Sequence, residues 1–227
     1  IQLASLRQLL SPDAEFVALA GQKDATASRL ERHSVRTPHA IHLPSSSPLP
    51  RDFPYPAVLK PSDGAGAVNT QLVASSSSHA PYPDSSPARL EQWIDGVPAS
   101  ISILCGPKSL LPRPPCRQLI GEDGCRYVGG ATPLDRVLAD RAKRQGLAVM
   151  QALPQTKGYV GIDLVLGADP DGKDDVVLEV NPRLTTSYIG LRQVAQSNLA
   201  QAMLDLAEGG PASLSFENRA IQFDSRG

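Results

Sequence analysis

Apolar positions along the 227-residue chain alternate between helical and strand spacing, with short periods of each. Leu3, Leu6 and Leu10 recur at helical intervals in QLASLRQLL (residues 2–10), which predicts a first helix. EFVALA (15–20) reads as a short buried strand closed by Gly21. KDATASRLERHSV (23–35) predicts an amphipathic helix with Ala25, Leu30 and Val35 turned inward. RTPHAIHLP is extended, and SSSPLPRDF is a loop. A strand from Ala57 to Leu59 runs into Lys60 and Pro61, then a small-residue loop from Ser62 to Ala67, then a strand in AVNTQLVA.

Residues 75–88 are polar and turn-rich, a low-complexity excursion. Ser alternates with Ile and Leu in PASISILCG, the mark of a half-buried strand. The proline-rich GPKSLLPRPPCRQL is irregular or edge structure, because proline cannot donate to a ladder. DRVLADRAKRQGLAVMQAL (135–153) predicts a helix kinked or loosened at Gly146. GYVGIDLVLGADPDGKDDVVLEVNP predicts two strands joined by a turn over Ala168 to Asp175, a hairpin. VAQSNLAQAMLDLAEGG predicts a closing helix capped by Gly209, and ASLSFENRAIQF a last strand. Short helices mixed with hairpins indicate an α+β fold and exclude a long helical bundle.

Composition narrows the classes. The chain is 41% hydrophobic and 20% charged, as soluble globular proteins are, and is long enough for one large domain or two small ones. A net charge of -1 gives no general attraction to nucleic acid or to an anionic membrane, and no apolar run reaches transmembrane length. No signal peptide is legible, and the first residue is Ile1 rather than Met. Cys105, Cys116 and Cys125 are odd in number and lack CxxC spacing, so a disulfide framework or zinc site is not expected and a reducing cytoplasm fits. His39 and His42 lie three apart in an extended stretch and so face opposite sides, which suits solvated or core histidines better than metal ligands.

The strand VVLEVNPR (176–183) carries the chemistry. Its first half is apolar, and then Glu179, Asn181 and Arg183 fall at alternate positions and share one face as the strand leaves the core. Asp163 sits in the partner strand of the hairpin. Alone, Asp163 reads as a hydrogen-bonded core acid. Two carboxylates and an amide oxygen converging with an arginine make instead a hard-oxygen site of the kind Mg²⁺ takes, with positions left for water and phosphate. Lys60 stands at a strand end before PSDGAGA, where Gly64 and Gly66 would let backbone N–H groups close on an anion, although an isolated GxG equally marks an ordinary turn and there is no Walker A sequence. Lys23 opens a helix and by itself is a surface lysine. EQWIDG places Glu91, Trp93 and Ile94 together, either as core or as the lining of an adenine pocket.

These pieces occur in one order: Lys23, K-P-x-x-G-x-G from Lys60, E-x-W-I-x-G from Glu91, G-I-D-L from Gly161 and E-V-N-P-R from Glu179. That order resembles the ATP-grasp superfamily over most of the chain, from Lys23 to about Leu206. NPRLTTSYIGLR further resembles its carboxylate–amine ligases of the tyramine–glutamate ligase-like branch.

The resemblance implies two α+β subdomains with antiparallel sheets gripping a nucleotide: residues 23–89 with the glycine-containing loop, and 90–227 with the metal site. Residues 1–22 would be the remnant of a preceding Rossmann-like domain that is mostly absent. Lys23 and Lys60 would contact ATP phosphates, with the loop Asp63 to Ala67, including Gly64 and Gly66, folded over them. Glu91, Gln92, Trp93 and Ile94 would form the hinge that reads adenine. Asp163, Glu179 and Asn181 would hold Mg²⁺, with Mn²⁺ as an alternative, and Arg183 would neutralise the transferring phosphoryl group.

Two positions depart from the pattern. Many relatives hold the ribose with an acid soon after the hinge, where this chain has Val97 to Ser100, and some carry an arginine where it has Gly161. The implied activity is ATP-dependent joining of a carboxylate to an amine through an acylphosphate, with small-molecule substrates, no nucleic-acid or membrane partner, and a homodimer left open. RYVGGATPL (126–134) and LTTSYIGL (184–191) would face the acceptor substrates. The alternatives are a non-catalytic nucleotide-binding module, a truncated ATP-grasp fragment, or a purely structural α+β domain.

Overall fold

The computed structural model describes residues 10–44, 47–62, 69–78 and 87–225. In chain order its elements are α1 (Ala14–Ala20), α2 (Lys23–Arg32), β1 (Ala40–Leu43), β2 (Ala57–Pro61), β3 (Gln71–Val73), β4 (Ala88–Gln92), β5 (Val97–Gly106), β6 (Ser109–Pro112), β7 (Cys116–Ile120), β8 (Tyr127–Thr132), α3 (Arg136–Ala152), β9 (Gly158–Leu166), β10 (Val176–Asn181), α4 (Ser187–Val194), α5 (Leu199–Ala207) and β11 (Ile221–Asp224). The strands form two sheets. A four-stranded sheet runs β1-β4-β2-β3, and a seven-stranded sheet runs β10-β9-β5-β7-β8-β11 with β6 paired to β5. Neighbours in both sheets are antiparallel, the α+β architecture the element pattern predicts. No helix among the described residues is long and apolar enough to cross a membrane.

The main core lies between α3 and the seven-stranded sheet, where Ile101, Ile103, Val160, Ile162, Leu164 and Val149 are sealed from solvent. Phe16 and Ala20 of α1 and Leu30 of α2 join that core. The smaller sheet has its own cluster of Leu43, Phe53, Ala57, Leu59, Val73 and Leu90.

Several elements differ from the sequence expectation. EFVALA is helix α1, not a strand: Phe16 and Ala20, four apart, are buried while Val17 and Ala18 are exposed, a helical spacing. Gly21 caps that helix at φ -71°. Among the described residues of AVNTQLVA the strand is the three residues of β3, preceded by Asn69 at φ 57°, a left-handed conformation asparagine tolerates. Strand β5 is buried on both faces rather than half-buried, since α3 covers one side and α5 the other. Of its serines, Ser102 is satisfied internally, its Oγ 2.5 Å from the Tyr159 hydroxyl. The proline-rich segment does form edge strand β6, but its end becomes β7 inside the sheet.

Helix α3 runs unbroken through Gly146, and the glycine is there for close approach instead of a kink. A Cβ at that position would lie 3.0 Å from Ile101 Cγ2. The closing helix expected over 194–210 is α5 alone, starting at Leu199, and α4 over SYIGLRQV is a helix the sequence reading did not assign. After α4, Ala195 is extended and bridges to Phe216, and Asn198 opens α5 by accepting hydrogen bonds from the N–H groups of Ala200 and Gln201 at 3.0 and 3.2 Å. Gly209, at φ 77°, ends α5 as expected. The last strand is confined to β11. The predicted helix over 2–10 lies, except for Leu10, outside the described residues, as does the loop holding Gly64 and Gly66.

Candidate active site

The β9–β10 hairpin sets the geometry. Its register places Glu179 directly opposite Asp163 and Asn181 opposite Gly161, with a bulge between Val177 and Glu179. Asp163 is the one position of β9 that is half-buried instead of buried. Its carboxylate accepts hydrogen bonds from Asn181 Nδ2 at 3.0 Å on one oxygen and from Gln118 Nε2 at 2.8 Å on the other. Arg183 Nη2 in turn donates to Asn181 Oδ1 at 3.1 Å. Desolvation and the facing Glu179 carboxylate push Asp163 up to about 7, against the lowering effect of Asn181, Arg183 and Gln118.

The opposite wall comes from the four-stranded sheet and α2. Lys60, at the end of β2, places its ammonium 2.7 Å from Glu91 Oε2, and Arg89 Nε lies 2.6 Å from Glu91 Oε1. Lys23, at the start of α2, approaches Glu179 at 3.7 Å and so reaches across to the hairpin. Gln92 N–H donates to His39 O at 2.8 Å and Trp93 N–H to Pro56 O at 3.0 Å, which fixes the strand exit. Trp93 and Ile94 are half-buried rather than core.

Between these walls is a cavity of about 480 Å³. Lys23, Lys60, Glu91, Gln92, Trp93, Ile94, Asp163, Glu179, Asn181 and Arg183 all line it. The structure thus brings together every described residue that the resemblance implies for the nucleotide and metal site. Val58, Ile120, Val165 and Leu178 add an apolar lining. At one end stand Thr185, Thr186 and Ser187, and Tyr127 lines the cavity as well. Thr185 Oγ1 and Ser187 Oγ are 2.8 Å apart, and both lie 3.4 Å from the Tyr159 hydroxyl. Gly161 makes room for this cluster, since a Cβ there would be 2.4 Å from Thr185 Cγ2. The acid absent after the hinge is replaced by Pro98 and Ser100 on the cavity wall. Gln118 escaped the sequence reading because its partner is 45 residues away and a lone glutamine in a strand carries no local signal.

Against known proteins, a protein-family model described as the ATP-grasp domain matches residues 20–187, most of the chain and all of the cavity-lining segments named above. The chain belongs to the ATP-grasp family. Two curated proteins are similar to it: tyramine–L-glutamate ligase of Methanocaldococcus jannaschii, 28% identical over 134 residues, and the protein of that name from Methanocaldococcus fervens, 26% identical over 131 residues. The matches cover 59% and 57% of this chain but only 40% and 41% of those proteins, so the chain spans about two fifths of the curated relatives it matches.

Among solved structures, carboxyaminoimidazole ribonucleotide synthase from Aspergillus clavatus, complexed with ATP, superposes with a TM-score of 0.79 at 16% identity, over 96% of this chain and 59% of that one. L-amino acid ligase from Bacillus licheniformis gives 0.74 at 18% identity, over 90% and 52%. At these identities the likeness is one of fold.

The donor set fits a hard divalent cation in kind. Two carboxylates face each other across the hairpin beside an amide, and burial first, then the facing Glu179, raises Asp163. With its oxygen engaged by Arg183, Asn181 orients Asp163 as well as offering a donor. Among the described residues no group of three or more His, Cys, Asp and Glu side chains forms a separate metal cluster.

Proposed function

We propose that the chain carries the nucleotide and metal site of an ATP-dependent carboxylate–amine ligase. The observation that carries this reading is the cross-strand Asp163–Glu179 pair, with Asn181 and Arg183, facing Lys60 across one cavity in an ATP-grasp chain. In this reading Gln92 to Ile94 and the apolar lining hold the base, while Lys23 and Lys60 hold the phosphates. Asp163, Glu179 and Asn181 would hold Mg²⁺, or Mn²⁺ in its place, which when bound draws charge from the phosphoryl oxygens.

A substrate carboxylate oxygen attacks the γ-phosphorus and ADP leaves, and Lys60 and Arg183 offset the charge that spreads over the phosphoryl oxygens. The amine then attacks the acyl carbon of the acylphosphate. Phosphate departs with the carboxylate oxygen, and the amine loses a proton as the amide forms. None of these steps needs a protein nucleophile. Thr185, Thr186 and Ser187 offer hydroxyl groups to the acceptor substrates. The names of the curated relatives make a glutamate-like acid and a tyramine-like amine the first pair to try. The three free thiols suit a reducing, cytoplasmic setting.

The test is ADP release by the purified chain with Mg·ATP and acid–amine pairs. ADP formation that requires both partners supports the ligase. Pro98 and Ser100 in place of an acid beyond the hinge favour a second reading, nucleotide binding without turnover. Saturable Mg·ATP binding with no ADP from any pair would favour it over the ligase.

A further inference from the structure

Arg89 is among the most buried charged residues, at 4% exposure, and the site described above gives it no role. In the β2–β4 register it lies directly opposite Lys60, so two cations face each other on one side of the sheet. Glu91, two residues on, shares that face and settles the conflict, with one oxygen on Arg89 and the other on Lys60. Arg89 also pairs through Nη1 with Asp24, the neighbour of Lys23 on α2. An ionic row Asp24–Arg89–Glu91–Lys60 therefore ties the helix that begins with Lys23 to the strand that ends near Lys60.

Resting on the nucleotide site proposed above, we infer that Arg89 is a positioning residue that makes Lys60 available to the nucleotide. In this inference a phosphate draws the Lys60 ammonium away from Glu91, whose side chain is only 6% exposed. A carboxylate so deeply placed, stripped of its counter-charge, is costly. Arg89 stays behind as the partner of Glu91, so the ammonium moves from one anion to another and neither carboxylate nor phosphate is left unpaired. Asp24 holds the guanidinium in place during the exchange. Without Arg89, Glu91 retains Lys60, and the phosphate must compete with a buried carboxylate for it.

The test is Mg·ATP affinity by calorimetry on the full chain, with unfolding midpoints recorded for every variant. Arg89→Gln is expected to raise the Kd tenfold or more while adenosine, which has no phosphate, binds as to wild type. Arg89→Lys recovers part of the loss. Arg89→Gln/Glu91→Gln recovers most of it, because the trap for Lys60 is gone. A purely structural arginine gives the opposite outcome, with the double variant no tighter than the single one, and that result overturns the inference. So does an Arg89→Gln protein that binds Mg·ATP as wild type does. If wild type itself shows no Mg·ATP binding, the nucleotide site falls first and the role of Arg89 falls with it.

Discussion

Asp163 is held by two amide donors yet still pushed up to about 7, so its position leaves a signature in the pH dependence of stability. Its carboxyl binds a proton more tightly in the folded chain than at its ordinary 3.8. The stability it contributes is complete below about 3.8 and is lost as pH rises through about 7. In buffer free of divalent ions, denaturant unfolding of wild type should show that loss between those values, and Asp163→Asn should flatten it. Added Mg²⁺ should restore stability at the upper end. The thiols give a second check. Burial pushes Cys105 and Cys116 up to about 12, whereas Cys125 is raised less, is only half-buried and lines the cavity. A thiol reagent at pH 8 should label Cys125 alone in the native chain, as read by mass spectrometry, and Mg·ATP should slow it.

The β9–β10 hairpin owes its alignment to a contact one strand-length away. Asp175, at the end of the turn, forms a buried ion pair with Arg141 of α3 and accepts the Gly167 N–H at 3.0 Å. Asp175→Ala strands a buried guanidinium and should cost roughly 3–5 kcal/mol in chemical unfolding. Gly146 offers a contest of signs. Alanine gains up to about 1 kcal/mol of helix propensity. Its Cβ would meet Ile101 and Ile103 at 3.0 and 3.3 Å, and both are sealed in the core. Overpacking of this kind costs about 1–3 kcal/mol, so Gly146→Ala should destabilise on balance.

The same elements show what a sequence discloses. The hairpin, its turn and the parity of Glu179 and Asn181 were legible, because strand period and turn chemistry are local. The kink expected at Gly146 was wrong because only the sheet packed against α3 explains that glycine. EFVALA misled because six mostly apolar residues fit either period until burial of Phe16 and Ala20 decides between them. Gln118 carried no signal, its partner lying 45 residues away, and the tie of Arg89 to Asp24 spans 65 residues, although its other partner Glu91 is two positions on.

The two sheets face each other across one cavity, with Lys60 and its partner Glu91 on one wall and Asp163, Glu179 and Arg183 on the other. α2 joins the walls, because Lys23 reaches Glu179 of β10 while Asp24 pairs with Arg89 of β4. A ligand that bridges the walls should stabilise the whole chain. At a hundredfold excess over its Kd, Mg·ATP should add roughly 2–3 kcal/mol. That gain, read as a thermal shift, should require Mg²⁺ and vanish in Lys60→Ala. The central proposal is sharper than binding, since it routes a carboxylate oxygen of the substrate through an acylphosphate. Turnover with a substrate acid labelled with ¹⁸O in its carboxylate, followed by mass spectrometry of the released phosphate, tests it most directly. One labelled oxygen per phosphate is the predicted result. Unlabelled phosphate formed alongside ADP would contradict it.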